Sequence, residues 1–401
     1  MNSAAELDAR HNAGWLVALV CIAGPALVAL IPMAAAPALM SMARHFAVGA
    51  DAQLFSQFVM TLPAAMLVVA APIAGVLASR IGQRAILLGS LTLYVIGGAG
   101  VLAIDSKQAL IGLRLILGIA GGGLLTSCLG LIGDHFSGHA RERLLGYATA
   151  LSSLFAAAAL IFGGRMVDFG GWQAPFTLYF LGIPTLVMAA AVIRDVRIPS
   201  PGSRRINVRG ELGHVWMYYA LLVLLTLAMF TPSIQAPFVL EAKGIGSAQM
   251  VGSIVAASSI VAIFSAGAFG ALRRVIGLHG FLVLDTLAMG AGILAIGLAN
   301  EVWQIFAGCA LVGIGAGMSE PAIASIIFHR AAPIAHAVAM GLIVSALNAG
   351  QFVNPLIFAP LRDHFGAPRS FIVVGVLLLA VSAFIAVRNR ADLVEKGLIE
   401  P

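Results

Sequence analysis

Apolar residues in this chain fall into twelve long stretches separated by short polar segments. The stretches are 14–40, 54–78, 85–104, 109–132, 144–166 and 173–193 in the first half, and 215–240, 248–271, 279–298, 303–327, 337–360 and 369–388 in the second. Each is close to the ~20 residues that a helix needs to cross a hydrocarbon core about 30 Å thick. The pattern therefore predicts an all-α membrane protein with twelve transmembrane helices. Most connections are short. One of them, Gly75-Val-Leu-Ala-Ser-Arg-Ile-Gly-Gln-Arg84, is a basic, glycine-framed turn between the second and third stretches. The longest, Arg194–His214, holds Pro199, Pro201, Gly202 and five arginines and reads as a flexible linker.

The pattern repeats. Adding 195 to Gly75, Leu77 and Gly82 gives Gly270, Leu272 and Gly277, again beside a basic pair, Arg273 and Arg274. The same shift carries Gly118, Ile119 and Gly122 to Gly313, Ile314 and Gly317, Gly146 to Gly341, Pro37 to Pro232, Asp168 to Asp363 and Phe176 to Phe371. A constant shift over separated regions predicts two six-helix pseudo-repeats around a central cavity, residues 1–193 and 215–401, joined by a linker at 194–214.

Composition narrows the function. Apolar residues make up 60% and charged residues 10% of the chain, an excess that a soluble core does not need. The polar residues 1–13 lead into a stretch of full spanning length, so no cleavable signal is expected. Net charge is +6, but the charges sit in short connections, which positive-inside bias explains without nucleic acid. With the N-terminus in the cytoplasm, sixteen of the 23 Lys and Arg fall on the cytoplasmic side; Arg44, Lys107, Lys243, Arg362 and Arg369 fall opposite, and Arg114 and Arg165 lie within stretches. Both termini are therefore expected inside. Trp15, Trp172, Trp216 and Trp303 all lie at stretch ends, as interfacial anchors do. Cys21, Cys128 and Cys309 stand apart in apolar runs, and no metal site, disulfide framework or cofactor is expected. There is no room for a soluble ATP-hydrolysing domain and no Gly-x-x-x-x-Gly-Lys phosphate loop. The nine histidines sit at stretch ends or in connections, which argues against a membrane enzyme.

The turn Gly75–Arg84 resembles the span 2–3 loop of the major facilitator superfamily of secondary transporters, with Ser79 where that family usually has Asp. Arg114-Leu-Ile-Leu-Gly118 resembles the family's span 4 motif. Phe162-Gly-Gly-Arg-Met-Val-Asp-Phe-Gly-Gly-Trp-Gln-Ala-Pro-Phe176 resembles the span 5–6 junction of its drug/proton antiporter branch, with Ala159-Leu160 in place of the usual Gly-Pro. The resemblance covers the whole chain. It implies alternating access, with the halves rocking about a midplane site. It places Arg114 in the cavity, with an influence on proton exchange. It also groups Gly75, Arg80, Gly82, Arg84, Asp134 and Arg143 as a cytoplasmic gate, in which Ser79 removes the usual acidic member.

Charges inside spans cost about 2.5–3.5 kcal/mol each on the insertion scale, so each calls for a reason. Glu320 lies in span 10 beside Pro321 and after Gly313, Gly315 and Gly317, a setting for irregular backbone around a titratable carboxylate. It is the candidate proton carrier, the alternative being a fixed interhelical pair. Asp285 in span 9 reads as a structural tie. Arg165 and Asp168, three apart, are expected to pair near the outer boundary, Arg165 alternatively facing substrate. Asn348, Gln351 and Asn354 share one stripe of span 11, and Gln57 and Gln235 add amides that could orient a solute or tie helices. These residues predict a monomeric bacterial inner-membrane transporter of a small organic solute, coupled to protons and working in efflux. The alternative is proton-coupled uptake of a small anion or neutral metabolite.

Overall fold

The computed structural model describes residues 4–46, 50–136, 138–193, 212–244, 247–330 and 336–395. The greater part of the expected linker, 194–211, lies outside them, as do the side chains of Ser79, Asp134, Arg273 and Arg274. The described residues are helical throughout, with no strand among them. Twelve helical stretches are long and apolar enough to cross a membrane: Gly14–Phe46, Ala52–Ala78, Gln83–Ala103, Lys107–Gly133, Arg143–Gly170 and Ala174–Val192, then Gly213–Ala242, Ala248–Phe269, Gly280–Leu298, Val302–Ile327, Val338–Phe365 and Ala367–Arg388. These are spans 1 to 12 below. The all-α, twelve-span expectation holds.

Several boundaries differ from the apolar pattern for local reasons. Span 1 continues past residue 40 because Pro37 does not end it. The chain passes through one tight 3₁₀ turn, Ala36–Ala38, and resumes as Leu39–Phe46. Pro37 falls at the start of this turn, where its missing N–H costs no intrahelical bond. Span 10 is split. One helix, Val302–Ala316, ends on Gly317, and a second, Ser319–Arg330, starts two residues later. Between spans 2 and 3, and between spans 8 and 9, the chain turns at a single glycine. Gly82 has φ 95° and Gly277 has φ 68°, a left-handed conformation that other L-residues rarely adopt.

By contacts the chain forms two compact units, residues 1–46 with 58–204, and residues 47–57 with 205–401. Within each, close helix approach depends on missing side chains, as expected where lipid supplies no hydrophobic drive between helices. In the first unit a Cβ on Gly118 would lie 2.5 Å from the Pro63 carbonyl oxygen, and one on Gly97 would lie 2.8 Å from the Leu117 nitrogen. In the second, a Cβ on Gly313 would lie 2.3 Å from the Ser258 carbonyl oxygen, and one on Gly292 would lie 2.8 Å from the Val312 nitrogen. These obstacles are backbone atoms, which cannot swing aside. Gly118→Ala and Gly313→Ala should each destabilise the protein by about 1–3 kcal/mol through overpacking. Gly112→Ala, where nothing lies within 4 Å, should be neutral or mildly stabilising. Thermal unfolding of the purified variants in detergent checks both expectations.

Candidate functional site

Polar side chains inside the second unit gather on span 7. Pro232 and Pro237 lie inside this helix, and neither can donate a backbone hydrogen bond. Around them the side chains bond to the backbone and to one another. The Thr231 hydroxyl donates to the Leu227 carbonyl at 2.8 Å. Asn354 Nδ2 donates to the same carbonyl at 2.9 Å and to Thr231 Oγ1 at 3.0 Å. Gln235 Nε2 donates to Asn354 Oδ1 at 2.9 Å, and Gln57 Nε2 donates to Gln235 Oε1 at 3.2 Å. All four side chains are buried. The result is a charge-free cluster that joins three expected site residues, Gln57, Gln235 and Asn354. The stripe on span 11 is not all used together: Gln351 is buried, but Asn348 is half-buried and donates to its own helix, at the Val344 carbonyl, at 2.8 Å.

The two carboxylates of interest lie about the break in span 10. Asp285 of span 9 is fully buried. Among the described residues, no group hydrogen-bonds either of its carboxylate oxygens. It presses on the helix before the break, since a Cβ on Gly315 would lie 2.6 Å from Asp285 Oδ1. The nearby Ser319 hydroxyl is turned away to the Gly315 carbonyl at 2.9 Å. A tie needs a partner, and the donor beside Asp285, the Ser319 hydroxyl, gives its hydrogen to the Gly315 carbonyl instead. Glu320, expected deep in span 10, stands in the first turn of the helix after the break, with an exposed side chain. The irregular backbone expected beside Pro321 is present at Gly317–Met318.

In the first unit, Arg114 is the largest fully buried side chain. Its guanidinium lies 4.7 Å from the Phe176 ring centroid, and Nη1 donates to the Tyr179 hydroxyl at 3.3 Å. Tyr179 in turn donates to the Ile31 carbonyl at 2.9 Å. Arg114 Nε and Nη2 have no hydrogen-bond partner among the described residues. A cationic planar group held by ring faces and one phenol, with two donors to spare, is suited to meet an anion or to repel a proton. Arg165 is exposed, its guanidinium 5.8 Å over the Phe169 ring.

The expected gate residues are dispersed in their contacts. Gly82 makes the turn, and Gly75 packs against Thr126. Arg80 and Arg143 are exposed. Arg84 instead donates through Nη2 to the Ala190 carbonyl at 3.1 Å, at the end of the helix Gly182–Val192. That is a favourable place for a cation, because the last carbonyls of a helix lack partners. The side chain of Asp134 lies outside the described residues.

With this geometry in place, likeness to known proteins decides the family. The family model described as Major Facilitator Superfamily matches residues 21–355. The chain belongs to the major facilitator superfamily. Its relatives include the methylenomycin A resistance protein of Bacillus subtilis, 34% identical over 142 residues, 34% of this chain and 29% of the relative. They also include the multidrug efflux pump LfrA of Mycolicibacterium smegmatis, 34% identical over 197 residues, 46% of this chain and 37% of the relative. The chain thus spans about a third of the length of these two curated relatives. The class B tetracycline resistance protein of Escherichia coli is 25% identical over 354 residues, 82% of this chain and 84% of the relative. Among solved structures, a D-xylose–proton symporter superposes with TM-score 0.76 at 15% identity, covering 92% of this chain and 97% of that one, which is a likeness of fold. Its described residues include twelve helices long and apolar enough to cross a membrane, as befits a member of this superfamily.

Sequence reasoning missed the residues that hold Arg114. In sequence Phe176 stands out only as a repeat match, and Tyr179 and Tyr94 do not stand out. In so apolar a chain an aromatic residue carries little signal, but all five tyrosines had polar ends to satisfy. Two of them, Tyr94 and Tyr179, are fully buried in the first unit.

Proposed function

We propose that this protein is a proton-coupled exporter of small, uncharged or weakly charged organic solutes in the bacterial inner membrane. In this reading it works as a monomer with both termini cytoplasmic. The observation that carries the reading is the buried carboxylate of Asp285 beside the split in span 10, with no hydrogen-bond partner among the described residues. An ionised carboxylate within the membrane costs about 2.5–3.5 kcal/mol on the insertion scale, and binding a proton removes that cost. Asp285 is therefore the group that takes up and gives back the coupling proton, and Glu320 is the exposed carboxylate that meets proton or solute first. The amide cluster of Gln57, Gln235 and Asn354 presents donors and acceptors without charge, which suits a solute recognised by neutral hydrogen bonds; Gln351 and Asn348 continue that surface along span 11. Arg114 and Arg165 bias the first unit against cations. Export, rather than uptake, is supported by the relatives, which are resistance proteins and an efflux pump. The charge bias of the connections supports the orientation.

The two halves are proposed to be repeats. Gly82 and Gly277, and likewise Gly171 and Gly366, are left-handed glycines 195 residues apart. Gly118 meets Pro63 as Gly313 meets Ser258, and Gly97 meets Leu117 as Gly292 meets Val312, each at that same shift.

A thermal-shift screen of the purified full chain tests the solute class. Binding to the folded state alone raises the melting temperature by mass action. Tetracycline and chloramphenicol should raise it, while xylose, glutamate and citrate should not. Stabilisation by the sugar or the acids alone would contradict the reading.

A further inference from the structure

A second titratable site stands at the opposite end of the first unit from the Gly75–Arg84 turn. The connections after spans 1, 3 and 5 meet there. His45, in the last turn of the helix Leu39–Phe46, pairs through Nε2 with Asp105 Oδ1 at 2.5 Å. Asp105 immediately precedes Ser106, which caps span 4, the helix of Arg114. Both members reach solvent, with side-chain exposures of 40% and 71%. Behind the pair is a run of rings. The His45 ring lies 5.5 Å from Trp172 and 4.8 Å from Phe46, and Phe46 lies 5.2 Å from Trp172. Trp172 is 6.0 Å from Phe176, whose face carries the Arg114 guanidinium. Gln173, next to Trp172, donates to the Val101 and Ile104 carbonyls at 3.2 and 2.9 Å, which fixes the segment leading to Asp105 onto the same stack.

We propose that the His45–Asp105 pair is a proton-binding site that positions Arg114 through the Trp172–Phe176 stack. Histidine is the side chain whose charge ordinarily changes between pH 5 and 8. When His45 is protonated, the pair is an ion pair that clamps the span 1 end to the span 4 start over Trp172. When His45 is neutral, the clamp is a single hydrogen bond. Three elements face the imidazole: the span 3–4 connection with Asp105, its own helix with Phe46, and the span 5–6 connection with Trp172. Two further cations, Arg44 and Lys107, flank the pair in sequence, and each has a partner. Beyond the rings, the next charge is Arg114, which has no carboxylate partner among the described residues. An unbroken run of ring contacts therefore joins the pair to Arg114, and through it the proton state of one site is felt by the other. The role of the pair rests on the fold of the first unit and not on the proposed solute or direction of transport.

Trp172 is a built-in reporter, because a protonated imidazole at contact range quenches indole emission. The experiment uses the full chain in detergent with Trp15, Trp216 and Trp303 replaced by Phe, titrated from pH 5 to 8.5. Emission should rise in one sigmoidal step as His45 loses its proton. His45→Gln, which keeps a donor for Asp105, should remove the step. Asp105→Asn should move it to lower pH. Arg114→Met should shift its midpoint. A step that survives in His45→Gln would overturn the proton site. A step unmoved by Arg114→Met would overturn the positioning of Arg114. Melting temperatures of the variants distinguish a lost step from a lost fold, and His45→Asn supplies a second neutral substitution if His45→Gln does not fold.

Discussion

Asp285→Asn is expected to abolish transport driven by a pH gradient, by tenfold or more, while leaving exchange of solute without a gradient largely intact. Asn keeps the shape of Asp and cannot exchange a proton. The native carboxylate is fully buried and has no hydrogen-bond partner among the described residues, so no pairing interaction is lost on substitution. A structural carboxylate would behave in the opposite way, because removing one member of a buried pair costs about 3–5 kcal/mol. Asp285→Asn should therefore melt at or above the wild-type temperature. Gly315→Ala should disturb the same carboxylate from the other side, since the new methyl would lie 2.6 Å from Oδ1. Counterflow and gradient-driven uptake in proteoliposomes, measured on the same preparations, separate coupling from binding.

Arg114→Leu is the second large effect, with the same division between stability and function. The guanidinium is fully buried against Phe176 and Tyr179 and, among the described residues, makes a single hydrogen bond and leaves two nitrogens without one. Replacing a buried charge by an apolar side chain of similar bulk is often neutral or stabilising by about 1–4 kcal/mol. Leucine should thus leave the melting temperature unchanged or raise it, and transport should fall at least tenfold. Arg114→Lys should not rescue transport. An ammonium cannot lie flat on the Phe176 ring while donating to Tyr179, as the planar guanidinium does. A variant that melts early and transports in proportion to its folded fraction would instead make Arg114 a structural residue.

The architecture was legible because it depends on the coarsest signal a chain carries. Twelve apolar runs of spanning length need only the bilayer's thickness to become twelve helices, and the Gly82 turn is written in one residue type. Helix edges were less legible: nothing in the run Ala34–Phe46 says that Pro37 would be absorbed by a single tight turn. The site divided along the same line. Gln57, Gln235 and Asn354 were picked out because amides are rare in apolar runs, and the structure bonds them to one another. Asp285 and Glu320 were both visible as charges in spans, but their difference was not. Which carboxylate is buried and which is exposed depends on the rotation of span 9 and on the break at Gly317–Met318, and both are set by contacts between helices distant in sequence. Arg114 was flagged by its motif, whereas Phe176 and Tyr179 reach it from 62 and 65 positions away.

Proton coupling through the second unit is tested most directly by following protons and solute together. Full-length protein is reconstituted in liposomes holding a pH-sensitive dye, and tetracycline or chloramphenicol, whichever raises the melting temperature, is added to one side at equal pH. A proton-coupled exporter moves protons against the solute, so the lumen should change pH in the wild type, in Glu320→Gln to a lesser extent, and not at all in Asp285→Asn. Solute movement without any pH change in the wild type would contradict proton coupling, and a wild-type pH change in Asp285→Asn would remove that carboxylate from it.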